Sequence, residues 1–196
     1  MRGRFLHAAR VKILLLAFAV VLAATGGCKE EQPATTALQS PAGTGVKAAE
    51  PLPPFLTNAQ PRLQTMRLFV GSQELRTELA LKPVEIYTGM MWRTNMAENE
   101  GMLFVFADAS PRSFYMRNTL VPLSLAYIDP EGIIQEIHDL HPRNETPVPS
   151  KADNIQFVLE VPQGWFKRRN ISPGTLVRTE FGELKNTFSF RALPRK

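Results

Sequence analysis

One cysteine in 196 residues is the scarcest feature of this chain, and its placement removes several chemistries together. Cys28 closes Thr25-Gly26-Gly27-Cys28, directly after the apolar run Ile13–Ala24. If that thiol serves as an anchor, the rest of the chain has none. Disulfide stapling, a cysteine nucleophile and a cysteine-ligated zinc site are then excluded at once. Acidic residues are missing from the first 27 positions, where Arg2, Arg4, Arg10 and Lys12 supply +4. Subtracting this from the formal net charge, +5 − 4, leaves +1 for everything that follows. A domain so nearly neutral lacks the positive field on which non-specific phosphate binding depends, so nucleic acid is not expected as a partner. No phosphate loop, nucleophile elbow or catalytic triad pattern is present.

What is there begins with a targeting segment. A basic start, an apolar run too short to span a bilayer comfortably, and small residues before Cys28 give residues 1–28 the layout of a secretory signal. The segment resembles a bacterial lipoprotein signal, with Cys28 as the lipidated first mature residue and Thr25 where that pattern prefers Leu. The resemblance implies export and a lipid anchor. Lys29 after the cysteine points to the outer membrane, on its periplasmic side. A cleaved signal and a soluble periplasmic protein is the other reading. Residues 29–61 read as a linker rich in Ala, Thr, Gln and Pro, with prolines at 33, 41, 51, 53, 54 and 61. A coil of that length spans about 30 Å, enough to hold a domain off a membrane.

Residues 62–180 carry strand-length apolar runs separated by turn residues. Met66–Val70 and Glu74–Leu81 flank Gly71-Ser72, the pattern of a two-residue hairpin with Gly first. Pro83 suits the first turn of a helix to about Met91. Met102–Phe106, Phe114–Met116 and Leu123–Ile128 predict a central meander, followed by Asp129-Pro-Glu-Gly132 as a turn and Ile133–Leu140 as a strand. Pro142–Asp153 reads as a long loop. Ile155–Val161 is a strand, with Ile155, Phe157, Leu159 and Val161 on one face. A short basic helix from Pro162 to Arg169 and a last strand, Thr175–Glu180, complete the domain, while residues 181–196 form a tail of unassigned structure. The fold class is mainly β: a compact antiparallel sandwich or barrel-like meander with one or two short helices.

Gly89-Met-Met-Trp-Arg93, Gly101-Met-Leu-Phe-Val-Phe106, Ser113-Phe-Tyr-Met-Arg-Asn-Thr119, Tyr127-Ile-Asp129, Glu136-Ile-His138 and Val158-Leu-Glu-Val-Pro-Gln-Gly-Trp165 occur in an order that resembles the bacterial and archaeal domain of unknown function 192. The resemblance covers about residues 66–180 and implies a compact β fold, often exported, with no agreed activity. Tyr115 stands where that family has Trp, and Ser124 where an Asp commonly follows Pro-Leu.

Two side-chain groups are candidates for chemistry. Glu136 and His138 are two apart on a strand and share a face, and Asp129 across the turn could approach them. A carboxylate beside a histidine suits acid–base work or half of a metal site, though no metal or other cofactor is assigned. Tyr115, Arg117 and Asn118, joined by Arg93 from the preceding loop and neighboured by Arg112 and Phe114, form an aromatic-basic group suited to an anionic or sugar ligand. The methionines at 90, 91, 96, 102 and 116 read as core filler in preference to a thioether site for Cu(I). The leading expectation is a tethered envelope module that binds a small anionic or glycan ligand, or a partner protein. A hydrolase built on Glu136 and His138, and a purely structural envelope protein, are the alternatives.

Overall fold

Alternation of apolar and polar residues builds a sheet of eight strands. The computed structural model describes residues 55–189, so the leader, Cys28 and the linker before residue 55 lie outside the described residues. β1 (Thr65–Val70) and β2 (Gln73–Ala80) form the expected hairpin, Val70 facing Gln73 across the two-residue turn. Gly71 takes φ +59°, a conformation glycine adopts without Cβ strain. Pro83 opens α1 (Pro83–Thr88), and Glu85 accepts from the Lys82 backbone N–H in a capping box. α1 stops three residues short of the expected Met91, at Gly89 (φ +47°), where a Cβ would meet the Phe104 ring at 3.2 Å.

The chain then lays down β3 (Glu100–Ser110), β4 (Ser113–Phe114), β5 (Leu123–Ile128), β6 (Ile134–Leu140), β7 (Val148–Pro149) and β8 (Ile155–Pro162). After α2 (Trp165–Arg168) come β9 (Val177–Thr179), β10 (Gly182–Glu183) and α3 (Leu184–Thr187). Strand order across the sheet is β10-β9-β1-β2-β3-β8-β5-β6, antiparallel except for the β2/β3 pair that α1 bridges. The mainly β class with short helices holds, as one mixed sheet that does not close into a barrel.

The central meander does not form. β8 inserts between β3 and β5, taking hydrogen bonds from both, and β4 leaves the sheet to pair with β7 from the proline-rich loop. The physical reason lies around Asn118. Its φ of +53° bends the chain, and Met116 N–H bonds to the Asn144 carbonyl at 2.8 Å in place of a sheet neighbour.

β3, β5 and β8 are apolar on both faces. One face sets Leu103, Val105, Ala126, Phe157 and Leu159 against Trp165 and Phe166 of α2 and Leu184 of α3. The other sets Met102, Phe104, Leu125, Tyr127 and Val158 against Ile86, Met90, Met116 and Phe114. The sheet is thus a middle layer covered on both sides, and the methionines 90, 102 and 116 are core residues. Leu184 and Phe188 pack on the first core, so the chain stays ordered beyond residue 180.

Candidate functional site

Strand register brings distant acids onto one face. Glu78 faces Met102, Met102 faces Glu160, Glu160 faces Leu125, and Leu125 faces His138. These five positions form one row across β2, β3, β8, β5 and β6, with Glu78, Glu160 and His138 spaced about 10 Å apart at two strand widths each. The next row runs Ala80, Phe104, Val158, Tyr127, Glu136. Three ionisable centres therefore share the face that α1 and the β4–β7 ribbon cover. They differ in what holds them.

Glu78 is fully engaged. Arg93 reaches it through two parallel bonds of 3.0 Å, Arg62 adds one of 2.8 Å, and the Leu63 backbone N–H donates at 2.7 Å. Burial alone would raise this carboxyl, but those bonds outweigh it and hold it below its ordinary value. The Arg93 side chain is correspondingly buried and committed to Glu78, with a further bond to the Pro61 carbonyl. Its backbone neighbour Trp92 (φ +65°) donates to the Asn118 carbonyl at 2.8 Å. The loop does reach the 115–118 segment, as the sequence implies, but the guanidinium turns the other way.

Glu136 and His138 meet as the sequence implies, Oε2 to Nε2 at 2.9 Å. Glu136 also accepts the backbone N–H groups of Lys151 and Ala152, which ties down the loop before β8. Desolvation pushes the Glu136 carboxyl up, and the bonds from His138 and the two backbone amides pull it below its ordinary value. The His138 ring packs edge-on to Tyr127 at 5.8 Å between centroids, and Glu136 is its one side-chain partner among the described residues. Asp129 does not join them. Its carboxylate accepts the Ile133 N–H at 2.8 Å and the Gln135 amide at 2.7 Å, stitching its own turn. Gly132 completes that turn at φ +86°, where a Cβ would lie 2.7 Å from the Val177 carbonyl oxygen. No three His, Cys, Asp or Glu side chains cluster among the described residues in a metal-ligand arrangement.

Of the aromatic-basic group, Arg117 pairs with Glu145 (2.9 Å) and lies 5.7 Å above the Tyr115 ring, on an exposed edge. Tyr115, 39% exposed, is the member that turns toward a cavity. That cavity, about 810 Å³, lies between α1, the β3–β4 connection and the second face of the sheet. Tyr87, Phe104, Phe106, Phe114 and Tyr115 supply its aromatic wall, with Ile86, Met90 and Met91.

Glu160 lines the same cavity, 4% exposed, and sequence reading misses it. Its Oε2 is buried without a hydrogen-bond partner, and burial alone raises the carboxyl to about 8. Three other polar groups of the wall are occupied. Thr88 accepts from the Leu56 N–H, Thr119 donates to the Arg117 carbonyl, and Arg112 holds the Ile155 carbonyl and Asp108 while stacking on Phe106 at 3.9 Å. A signal was available. Val158-Leu-Glu-Val places an acid in a strand that is apolar on both faces, which only a partner, a ligand or neutralisation makes tolerable.

Comparison with known proteins adds a family but no activity. The family model DUF192, "Uncharacterized ACR, COG1430", matches residues 66–179. A solved structure from Sinorhizobium meliloti 1021, described as a candidate transcription regulator, is similar at 32% identity and TM-score 0.57, over 62% of this chain and 98% of that one. A protein of unknown function from Novosphingobium aromaticivorans DSM 12444 is similar at 30% identity and TM-score 0.57, over 69% of this chain and 99% of that one. No functionally curated protein matches.

Proposed function

The chain belongs to the DUF192 family, and from that premise we propose that its domain is a binding module which holds a small, largely apolar molecule between α1 and the sheet. The observation that carries this reading is the unpartnered Glu160 carboxyl in a cavity with an aromatic wall. At about 810 Å³ the cavity falls within the roughly 300–1,000 Å³ of small-molecule sites. An acid in a mostly apolar wall fits a neutral or basic ligand better than the anionic one suggested by Arg117, which Glu145 already neutralises. Catalysis is the weaker reading, because both oxygens of Glu136 are engaged within the fold and His138 meets no nucleophile among the described residues.

The test uses a neutral fluorophore, N-phenyl-1-naphthylamine, whose emission rises on leaving water. Wild-type protein is expected to enhance it and to gain several degrees in Tm at saturating probe, following RT ln(1 + [L]/Kd). Ser113 is exposed and lines the cavity, so Ser113→Trp fills the space without touching the core. It should abolish the enhancement at unchanged apo Tm. Equal binding by wild type and Ser113→Trp defeats the proposal.

The module is proposed to sit in the bacterial cell envelope, lipid-anchored through Cys28 at the periplasmic side of the outer membrane, with residues 29–61 as tether. The lone cysteine behind Gly26-Gly27 supports this. Cys28→Ser is expected to move the protein from the membrane to the soluble fraction with its melting curve unchanged. Wild-type protein without an acyl chain by mass spectrometry would refute the anchor.

A further inference from the structure

We propose that the cavity selects an organic ammonium ion, with Glu160 as the counter-charge and the aromatic wall as the cage around the cationic nitrogen. The inference rests on the binding reading above and narrows it to a ligand class. Three independent observations point the same way.

The first is the hydrogen-bonding deficit. Glu160 Oε2 is buried and unpartnered, on a residue 4% exposed that lines the cavity. A neutral carbonyl ligand could take the acid's O–H but would leave the other oxygen still without a donor. An ammonium carries up to three donors, enough for both oxygens. The second is the wall. Five of the lining residues are aromatic, and a ring face carries the negative lobe of a quadrupole that attracts a cation within about 6 Å; Phe106 and Tyr115 already receive Arg112 and Arg117 in this way, which leaves Tyr87, Phe104 and Phe114. The third is that the wall holds no unpaired cation among the described residues. Arg112 is its one basic residue, and that guanidinium is bonded to the Asp108 carboxylate and the Ile155 carbonyl while stacked on Phe106. An anion entering here would meet an acid and no free base.

Protonation follows from the geometry. With no cation beside it Glu160 is largely protonated at neutral pH, since burial raises it to about 8. A bound ammonium reverses that preference, and the carboxyl gives up its proton to solvent as the ion pair forms. Other ionisable groups face this region from the elements around it. Glu78 on β2 is held by arginines, Tyr127 on β5 is raised by burial, and Tyr87, Tyr115 and Arg112 complete the wall. Glu136 and His138 on β6 pair with each other.

The experiment compares phenethylammonium with its neutral counterpart 2-phenylethanol by isothermal titration at pH 7, in two buffers of different ionisation enthalpy. Wild-type protein is expected to bind the ammonium at least tenfold more tightly, with a fraction of a proton released to buffer that the alcohol does not release. Glu160→Gln should erase both the preference and the proton release. Glu160→Met serves as the second variant should the amide perturb packing. Equal affinity for both probes, or a preference that survives in Glu160→Gln and Glu160→Met, overturns the ammonium assignment. If neither probe binds while the neutral fluorophore does, this proposal also fails but the binding reading stands. Failure of the fluorophore as well removes both.

Discussion

Arg93→Ala is expected to cost about 3–5 kcal/mol, the loss typical when one partner of a buried ion pair is removed. Glu78 and Arg93 are 5% and 9% exposed in their side chains, so the carboxylate left behind stays in a poorly solvated site. Arg62 cannot compensate fully, because its side chain is 54% exposed and spans both Glu78 and Glu100. Arg62→Ala itself should cost under about 1 kcal/mol, the range of exposed pairs. In urea, with a slope of about 2 kcal/mol per molar, Arg93→Ala lowers the midpoint by about 2 M. Replacing both residues, as Arg93→Met with Glu78→Leu, should recover much of that loss, since no charge is left buried. An Arg93→Ala midpoint within about 0.5 M of wild type would show that Arg93 does not hold the fold, and would return it to the candidate ligand surface.

Arg93 also shows where sequence reading reached its limit. Local rules worked well where the cause was local. The β1–β2 turn with Gly first, proline opening α1, and Gly132 in its turn all follow from backbone preferences within a few residues. Pairing across long separations has no local cause. β8 joins β3 about fifty residues after it, and nothing in either strand's composition announces that neighbour. Trp92, next to Arg93, bonds to the Asn118 carbonyl, which brings the loop beside Arg117, yet the Arg93 side chain answers to Glu78 fifteen residues upstream. Glu136 beside His138 was legible because both lie on one strand at spacing two. Glu160 is not legible that way, because the Ile155, Phe157, Leu159 and Val161 pattern describes one face of its strand only, whereas Val158 on the other face is also fully buried.

The second large effect is a fall in stability as pH rises from about 4.5 to about 8, carried by Glu160. Its carboxyl is raised to about 8 in the fold by burial, against 4.5 for the ordinary group. The folded state therefore binds more protons than the unfolded chain throughout that window, and unfolding free energy decreases with pH. Below about pH 4.5 both states are protonated and the penalty is absent. Above about pH 8 it is complete, on the order of 5 kcal/mol at 1.36 kcal/mol per pKa unit. Glu78, Glu85, Asp108 and Glu136 act with the opposite sign, because each is lowered in the fold and loses its contribution as pH falls through the acid range. Stability should consequently peak near pH 5 and decline toward pH 9. Glu160→Gln removes the titrating group while retaining a polar side chain of the same shape. Its midpoint in urea is expected to stay level from pH 5 to pH 9 and to exceed wild type at the alkaline end by about 2.5 M, using the same slope. A wild-type midpoint equally level across that range would mean that water or a rearranged neighbour solvates the carboxylate, and the cavity would then lack the dry acid on which ligand selection depends.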